Sequence, residues 1–172
     1  MSFEQTVLPH LDAAYNLARW LVRDPALAED VVQDAALRAL GYFRSYRGGS
    51  ARAWYLQIVR NAALTRLAER QASAAREVRL DGATEDAVLA VADPAEGPEA
   101  ALGMRQDAAA LDQALAALPQ DLRECLVLRE LEELSYKEIA RIVGVPVGTV
   151  MSRLWRARQV LMRTRETVTH DT

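Results

Sequence analysis

The chain has 172 residues, of which 51% are hydrophobic and 26% charged, and its formal net charge is −3. This length suits one ordinary domain or two small ones, and a composition rich in alanine, leucine and arginine favours helices. There is no run of about 18 apolar residues and no secretory signal at the N-terminus, so we expect neither a transmembrane span nor export. The single cysteine, Cys125, excludes an intrachain disulfide and indicates a protein of the cytoplasm.

The charges are unevenly distributed along the chain. Residues 44–70 hold six arginines against one acidic residue, and residues 145–165 hold five arginines and no acidic residue. Between them, residues 71–107 hold three arginines against eight acidic residues. Two basic segments therefore flank an acidic one, and this asymmetry says more about binding partners than the total charge does.

The first half predicts helices. Apolar residues recur at helical spacing from Leu8 to Val22. Asp24 followed by Pro25 is typical of a helix N-terminus, and the helix that they begin is expected to run to about Phe43. One stripe of this helix is small and apolar, namely Ala28, Val32, Ala35, Ala39 and Phe43, and the opposite side carries Asp30, Gln33, Asp34 and Leu37. A turn-rich loop covers 45–50, and a helix with apolar residues around most of its circumference covers roughly 51–70.

The middle of the chain loses this periodicity from about Arg76 to Met104. Residues 93–99 are rich in proline, glycine and acidic residues, which predicts a linker. Helical periodicity resumes at about Asp107, and Pro119 is expected at the first position of the next helix.

The C-terminal segment predicts two helices joined by a tight turn. Ser135 and Glu138 have the spacing of a capping box, and Gly144 suits the left-handed residue that ends a helix. A second helix begins near Val147, and its expected buried stripe is Val150, Leu154, Ala157 and Leu161. A short helix, a glycine turn and a basic second helix form the helix-turn-helix that lies in the major groove of DNA. The alternative is a helical hairpin whose arginines are merely solvated.

Three stretches resemble one protein family. LSYKEIARIVGVPVGTVMSRLWRAR at 134–158 is similar to region 4 of sigma-70 family RNA polymerase sigma factors, and most similar to the extracytoplasmic-function (ECF) group. AEDVVQD at 28–34 and AWYLQIVRN at 53–61 resemble region 2 of the same group. The resemblance implies an all-α chain of two small helical domains: region 2 at 5–72, an acidic flexible linker at 73–107, and region 4 at 108–165.

The resemblance also implies partners and contact residues. In the family, the second helix binds the β′ subunit of core polymerase, which here implicates Asp30, Gln33, Asp34 and Leu37. Without the family, a solvated face with Asp34 and Arg38 as an i,i+4 pair is the favoured interpretation.

The region matching the loop and following helix binds the melted −10 strand in the family. The implicated residues are Arg44, Tyr46, Arg47, Ser50, Arg52, Arg60 and Asn61. Aromatic residues interleaved with arginines suit a single strand, which is held by a basic groove and stacking surfaces. Trp54 in this segment is expected in the core. Tyr55-Leu56 inverts the family's more usual order of leucine followed by an aromatic residue.

The recognition helix reads the duplex −35 element in the family. The implicated residues are Thr149, Met151, Ser152, Arg153, Trp155, Arg156 and Arg158. Arginine pairs with guanine, serine bonds base edges or phosphate, and flanking arginines neutralise phosphates. Met151 stands where the family usually has lysine or arginine, so the readout is expected to rest on Ser152, Trp155 and Arg156.

No catalytic constellation, metal-ligand cluster or cofactor motif is present in the sequence, so we expect no enzyme activity and no cofactor. Cys125 is expected to be a small buried residue, with a redox-sensing thiol as the alternative. The expected partners are core polymerase through its β′ and β subunits, promoter DNA and an anti-sigma factor. Two alternatives stay open: a helix-turn-helix regulator that acts without polymerase, and an adaptor that binds anti-sigma factors without initiating transcription.

Overall fold

The computed structural model describes residues 2–81 and 102–170, with side chains for 2–79 and 108–166. Within these residues the chain is helical and contains no strand, as predicted. It divides into two units, Met1–Glu96 and Gly97–Thr172. The helices are α1 (Phe3–Val7), α2 (Leu11–Val22), α3 (Pro25–Tyr42), α4 (Ala51–Asp81), α5 (Leu102–Ala117), α6 (Gln120–Leu126), α7 (Tyr136–Val143) and α8 (Val147–His170).

The first unit is built on mutual packing of α2, α3 and α4, with α1 against α3 and α4. The N-cap of α3 is as predicted, because Asp24 Oδ1 accepts hydrogen bonds from the amides of Ala26 and Leu27. On α3 the fully buried residues are small, which lets neighbouring helices approach closely: Ala28, Val31, Ala35 and Ala39. The sequence predicts Val32 in the buried stripe, but Val31 is the more deeply buried of the two, since α3 contacts both α2 and α4.

Two helix boundaries differ from the sequence expectation. The helix expected over the periodic run from Leu8 begins only at Leu11, because Leu8–His10 form a 3₁₀ turn in which Pro9 lacks an amide hydrogen for helical bonding. Helix α4 ends at Asp81, beyond the predicted end near residue 70. Residues 68–79 are all exposed, so packing does not explain this extension. The high helix propensity of its alanine, arginine and glutamate residues favours it instead. The acidic stretch at 93–99 lies outside the described residues.

The second unit surrounds a core from α6, α7 and α8. Its members include Leu122, Cys125, Leu128, Leu134, Ile139, Ile142, Val150, Leu154 and Ala157, all buried. Cys125 is fully buried, as predicted. Helix α6 continues into one π-helical turn, Val127–Leu131, which the periodicity did not reveal. Pro119 occupies the N-cap of α6, one position before the expected one.

The turn between α7 and α8 forms as its residues predict. Ser135 Oγ accepts a hydrogen bond from the Glu138 amide at 3.1 Å, and the Glu138 carboxylate accepts one from the Ser135 amide at 3.2 Å. At the other end of α7, Gly144 has φ +73°, the left-handed conformation that glycine adopts without steric cost. Both ends of α7 are thus fixed locally, which sets the direction in which α8 leaves.

Candidate nucleic-acid and protein interfaces

The outer face of α8 presents four of the predicted recognition residues. Met151, Ser152, Trp155 and Arg156 are exposed, with Trp155 at 64% exposure. Val150, Leu154 and Ala157 are buried on the inner side, whereas Leu161, the last residue of the predicted stripe, is only partly buried. Thr149 is half-buried at the first turn. An exposed indole, a hydroxyl and a guanidinium on one helix face can make apolar, hydrogen-bonding and bidentate contacts with base edges.

Arg153 lies on a different side of α8. Its side chain is only 18% exposed, and its Nε is 4.0 Å from Asp121 Oδ2 at the start of α6. Burial raises the pKa of the nearby Cys125 thiol, and the Arg153 guanidinium partly opposes this rise. Arg153 therefore joins α8 to α6, a contact that the arginine count of the sequence could not indicate.

Arg158 also has a partner within the second unit. Its NH2 donates to Glu130 Oε1 at 2.9 Å, and this hydrogen bond raises the pKa of the guanidinium above its ordinary value. Glu130 belongs to the π-helical turn. Arg129, its neighbour, lies 4.6 Å from the centre of the Tyr136 ring and donates to the Leu134 carbonyl oxygen at 2.8 Å.

An apolar groove of about 210 Å³ lies beside this ion pair. Leucines and one valine line it, with the Glu130–Arg158 pair at its rim: Leu111, Leu115, Leu126, Val127, Leu131 and Leu161. Leu111 and Leu131 are both exposed. Groups of exposed leucines around a groove suit a protein partner.

In the first unit, the loop between α3 and α4 is held by aromatic contacts. The Tyr46 ring lies 5.0 Å from that of Trp54 and 6.2 Å from that of Phe43, and the Tyr46 hydroxyl donates to the Gly49 carbonyl oxygen at 3.1 Å. Trp54 is buried in the core, as expected. Tyr46 is half-buried, so its ring serves the loop rather than offering an open stacking face.

The basic residues predicted for single-strand binding fall into two groups. Arg44 and Arg47 are exposed on the loop, and Ser50 Oγ accepts a hydrogen bond from the Ala53 amide at the start of α4. Arg60 and Asn61 lie further along α4, Asn61 about 16 Å from Ser50 along the helix axis at 1.5 Å per residue. This spacing suits several nucleotides rather than one.

Arg52 lies between these groups and is partly buried. Its Nε has no hydrogen-bond partner and is shielded from solvent. Burial, followed by the charge of the nearby Arg52, lowers the pKa of the His10 imidazole. Because Arg52 is partly buried and its charge affects His10, its position is less suited to an extended strand than those of the exposed Arg44 and Arg47.

The outer face of α3 carries the residues predicted to contact polymerase. Asp30, Gln33 and Leu37 are exposed, Leu37 at 70%. Asp34 is partly buried and accepts hydrogen bonds from Arg66 of α4, with Nε and NH2 each 2.7 Å from Oδ2. The expected i,i+4 pair of Asp34 with Arg38 is thus replaced by a pair between two helices.

Sequence reasoning missed Leu40 on the same face. It is exposed, and its spacing of three residues from Leu37 and seven from Gln33 was the available signal. Reasoning also missed Arg66, whose partner is 32 residues away and cannot be found from periodicity.

No group of histidine, cysteine, aspartate or glutamate residues able to hold a metal ion occurs in the described part of the chain. The Tyr55 hydroxyl is buried without a hydrogen-bond partner, and burial raises its pKa to about 12. Among residues 2–81 and 102–170, no helix is long and apolar enough to cross a membrane.

The capped helix-turn-helix with its exposed basic helix defines a DNA-binding protein of the helix-turn-helix class. Comparison with known proteins is more specific. A family model for sigma-70 region 2 matches residues 6–73, and one for sigma-70 region 4 matches residues 108–161.

Curated relatives agree with these models. The chain is 36% identical over 165 residues to the RNA polymerase sigma-H factor of Pseudomonas aeruginosa, covering 93% of this chain and 84% of that one. It is 36% identical over 140 residues to the ECF RNA polymerase sigma-E factor of Escherichia coli K12, covering 77% and 70% of the two chains. The chain therefore belongs to the sigma-70 family, in its ECF group, and is an RNA polymerase sigma factor. Sigma factors are non-catalytic transcription initiation factors.

Solved structures show the same fold. The sigma factor RpoE from Bartonella quintana, crystallised with the anti-sigma factor NepR, has a TM-score of 0.71 and 31% identity, with 95% of this chain and 96% of that one covered. CnrH, solved in complex with the cytosolic domain of CnrY, has a TM-score of 0.64 at 24% identity, and covers 96% and 88% of the two chains.

Proposed function

We propose that this sigma factor binds core polymerase through α3, reads the duplex −35 element with α8, and holds the melted −10 strand with the loop at 46–50 and the first half of α4. The observation that carries the proposal is the exposed face of Met151, Ser152, Trp155 and Arg156 on a helix whose direction is fixed by a capping box and a glycine turn. The protein acts in the cytoplasm, without enzyme activity of its own, where the polymerase supplies the chemistry.

Fewer residues of α8 contact the −35 element than the sequence motif implicates. Arg156 and Ser152 make polar contacts with base edges or phosphates, and Trp155 and Met151 supply apolar contact area such as a thymine methyl requires. Arg153 and Arg158, each engaged with a carboxylate, hold α8 on the rest of the unit. Thr149 lies in the first turn of α8, and a helix N-terminus is a favourable position for contact with a DNA phosphate.

The −10 contacts begin at the exposed arginines of the loop and continue to the half-buried Arg60 and the exposed Asn61 of α4. Arg44 and Arg47 bind the sugar-phosphate backbone at the loop, and Arg60 and Asn61 contact the strand further along α4. A basic track of this kind holds single-stranded DNA when bases also stack or enter a pocket. Tyr46, Ser50 and Arg52 shape the loop and the start of α4.

The polymerase contact is the α3 face of Asp30, Gln33, Asp34 and Leu37, extended by Leu40. Its mixture of carboxylates and exposed leucines suits a protein surface and repels DNA phosphates. The β′ subunit is the partner that the family implies. The leucine-lined groove of the second unit is suited to the β subunit in the initiating complex.

Anti-sigma control is a further part of the proposal. The Bartonella quintana relative was solved bound to an anti-sigma factor. An inhibitor that covers the α3 face and the leucine groove of this chain would block the same surfaces that polymerase needs.

One experiment tests the central proposal. Purified chain is added to core polymerase and a library of promoter fragments, and transcripts are sequenced. Promoter-specific transcripts that require the chain are expected. Leu37→Asp should abolish them by disrupting the α3 face, while Leu8→Asp, a matched change of a leucine exposed outside that face, should not. Tight, palindrome-selective DNA binding by the chain alone, with no transcript, would instead support a polymerase-independent regulator.

A further inference from the structure

A continuous series of aromatic contacts connects α1 with the loop that precedes α4. Phe3 of α1 meets Phe43 edge-on, with ring centres 5.8 Å apart and planes at 82°. Phe43 is stacked with Tyr46 at 6.2 Å and meets Trp54 at 6.5 Å. Edge-to-face and stacked aromatic pairs have preferred geometries, so each ring restricts the orientation of the next.

The two ends of the loop are held by hydrogen bonds, from the Tyr46 amide to the Phe43 carbonyl oxygen and from the Ala53 amide to Ser50 Oγ, and its middle consists of two glycines. Gly48 and Gly49 have φ values of +89° and +81°, and a Cβ added at either would meet nothing within 4 Å. Two successive glycines with open surroundings have many accessible conformations. The hydrogen bond from the Tyr46 hydroxyl to the Gly49 carbonyl oxygen, at 3.1 Å, fixes one of them. The conformation of the loop therefore depends on the position of the Tyr46 ring.

Helix α1 is itself anchored, so it can hold Phe3 in place. Ser2 Oγ accepts from the Gln5 amide at 3.2 Å, and the Gln5 side chain accepts from the Ser2 amide at 3.0 Å. Thr6 and Val7 are buried, and the Thr6 hydroxyl donates to the Ser2 carbonyl oxygen at 2.9 Å. A helix of five residues has marginal stability in isolation, and these contacts supply what propensity cannot.

We propose that Phe3 is a positioning residue for single-strand capture: through Phe43 and Tyr46 it holds the loop at 46–50 in the conformation that receives the −10 strand. The inference rests on the proposed function for its consequence at the promoter. Its structural half, the ordering of the loop by Phe3, stands independently of that function.

The structural half is tested on the full chain by limited proteolysis with trypsin, which cleaves after the exposed Arg47 in the loop. Cleavage at this bond, followed by mass spectrometry, should be faster in Phe3→Ala than in the unchanged chain. Phe3→Tyr, which keeps the ring, should restore the slow rate. Leu8→Ala removes an exposed side chain from the same end of the protein and should leave the rate unchanged.

The functional half is tested with holoenzyme and a promoter fragment whose −10 region is pre-melted. Loss of one aromatic pair should weaken binding of this fragment by about 2- to 10-fold in Phe3→Ala. Affinity for core polymerase and for a duplex carrying only the −35 element should stay within about twofold. Discrimination between −10 sequences should also diminish, which a general loss of folded protein would not produce once active holoenzyme is titrated.

The outcomes separate the inference from the proposed function. If the unchanged chain gives no promoter-specific transcript, the proposed function fails, while the proteolysis result still decides whether Phe3 orders the loop. If Phe3→Ala is cleaved after Arg47 at the unchanged rate, the inference is overturned. If Phe3→Ala unfolds, Phe3→Leu replaces it, because leucine keeps apolar volume without the edge-to-face pair. Cleavage of Phe3→Leu after Arg47 at the rate of the unchanged chain would also overturn the inference.

Discussion

Arg156 and Arg158 lie two residues apart on α8 and have different surroundings. Arg156 is exposed on the outer face. Arg158 donates to Glu130 at 2.9 Å, and a guanidinium engaged with a carboxylate has fewer donors left for a phosphate or a base. Residue type alone treats the two as equal DNA contacts. From these positions we propose that Arg156 takes part in readout and that Arg158 supports the helix.

We therefore predict opposite outcomes for two alanine variants. Arg156→Ala should cost about 1–3 kcal/mol of discrimination between the −35 element and a scrambled sequence, because it removes a contact with base edges. Arg158→Ala should leave that discrimination within about twofold. Competition binding of holoenzyme with the two fragments measures both. Equal losses in the two variants would contradict the assignment.

Cys125 gives a second prediction at this scale. Burial, followed by the nearby Glu124 carboxylate, raises the pKa of the thiol to about 11, from 9.0 in the unperturbed state. The folded protein thus favours the protonated thiol; the resulting stability is present below pH 9 and is lost as the pH rises through about 11. At pH 8 the thiolate fraction of Cys125 in the native chain is therefore about 100-fold lower than in the unfolded chain. Ellman's reagent should react slowly with the native chain and rapidly with the chain in denaturant. Rapid reaction of the native chain would restore the redox-sensing alternative.

At the scale of single helices, local signals determine where a helix begins and ends, whereas tertiary contacts determine which partners its side chains have. The start of α3 at Asp24 and both ends of α7 were predictable, because capping residues and a left-handed glycine act within one turn. The internal partners of Arg66 and Arg153 were not predictable, since each lies on another helix. The π-helical turn leaves no signal in the apolar periodicity. The exposed α8 face followed from periodicity, whereas deciding which of its arginines face outward needed the fold.

The α7 capping box supports a prediction about this helix. Ser135→Ala removes the acceptor for the Glu138 amide and should destabilise α7 by about 0.5–2 kcal/mol. Amide hydrogen exchange over residues 136–143 should accelerate accordingly, while exchange in α2 stays unchanged. Ser135→Asp keeps an acceptor oxygen and should retain most of the protection. Similar acceleration in the aspartate variant would contradict a capping role.

Charge distribution links the two units to their partners at the scale of the whole molecule. The chain has a net charge of −3, yet eleven arginines lie in the two basic segments. Among the described residues, at least four of these form ion pairs within their own unit: Arg66, Arg70, Arg153 and Arg158. The cationic surface available to DNA is therefore smaller than the composition indicates. A protein of this kind is expected to bind promoters well only when polymerase contributes further contacts.

This distribution predicts a shallow salt dependence for binding of the full chain to a duplex with the −35 element. Five phosphate contacts from residues 145–165 would give a slope of log affinity against log salt near −4.5, whereas at most three give about −2.7. Glu130→Gln should steepen the slope by about 0.9, because it releases Arg158 for a phosphate. Glu133→Gln, which changes the net charge equally at an exposed acid, serves as the control. Fluorescence anisotropy over a series of potassium chloride concentrations measures the slopes, and equal slopes for the two variants would show that the Arg158 pair does not limit DNA binding.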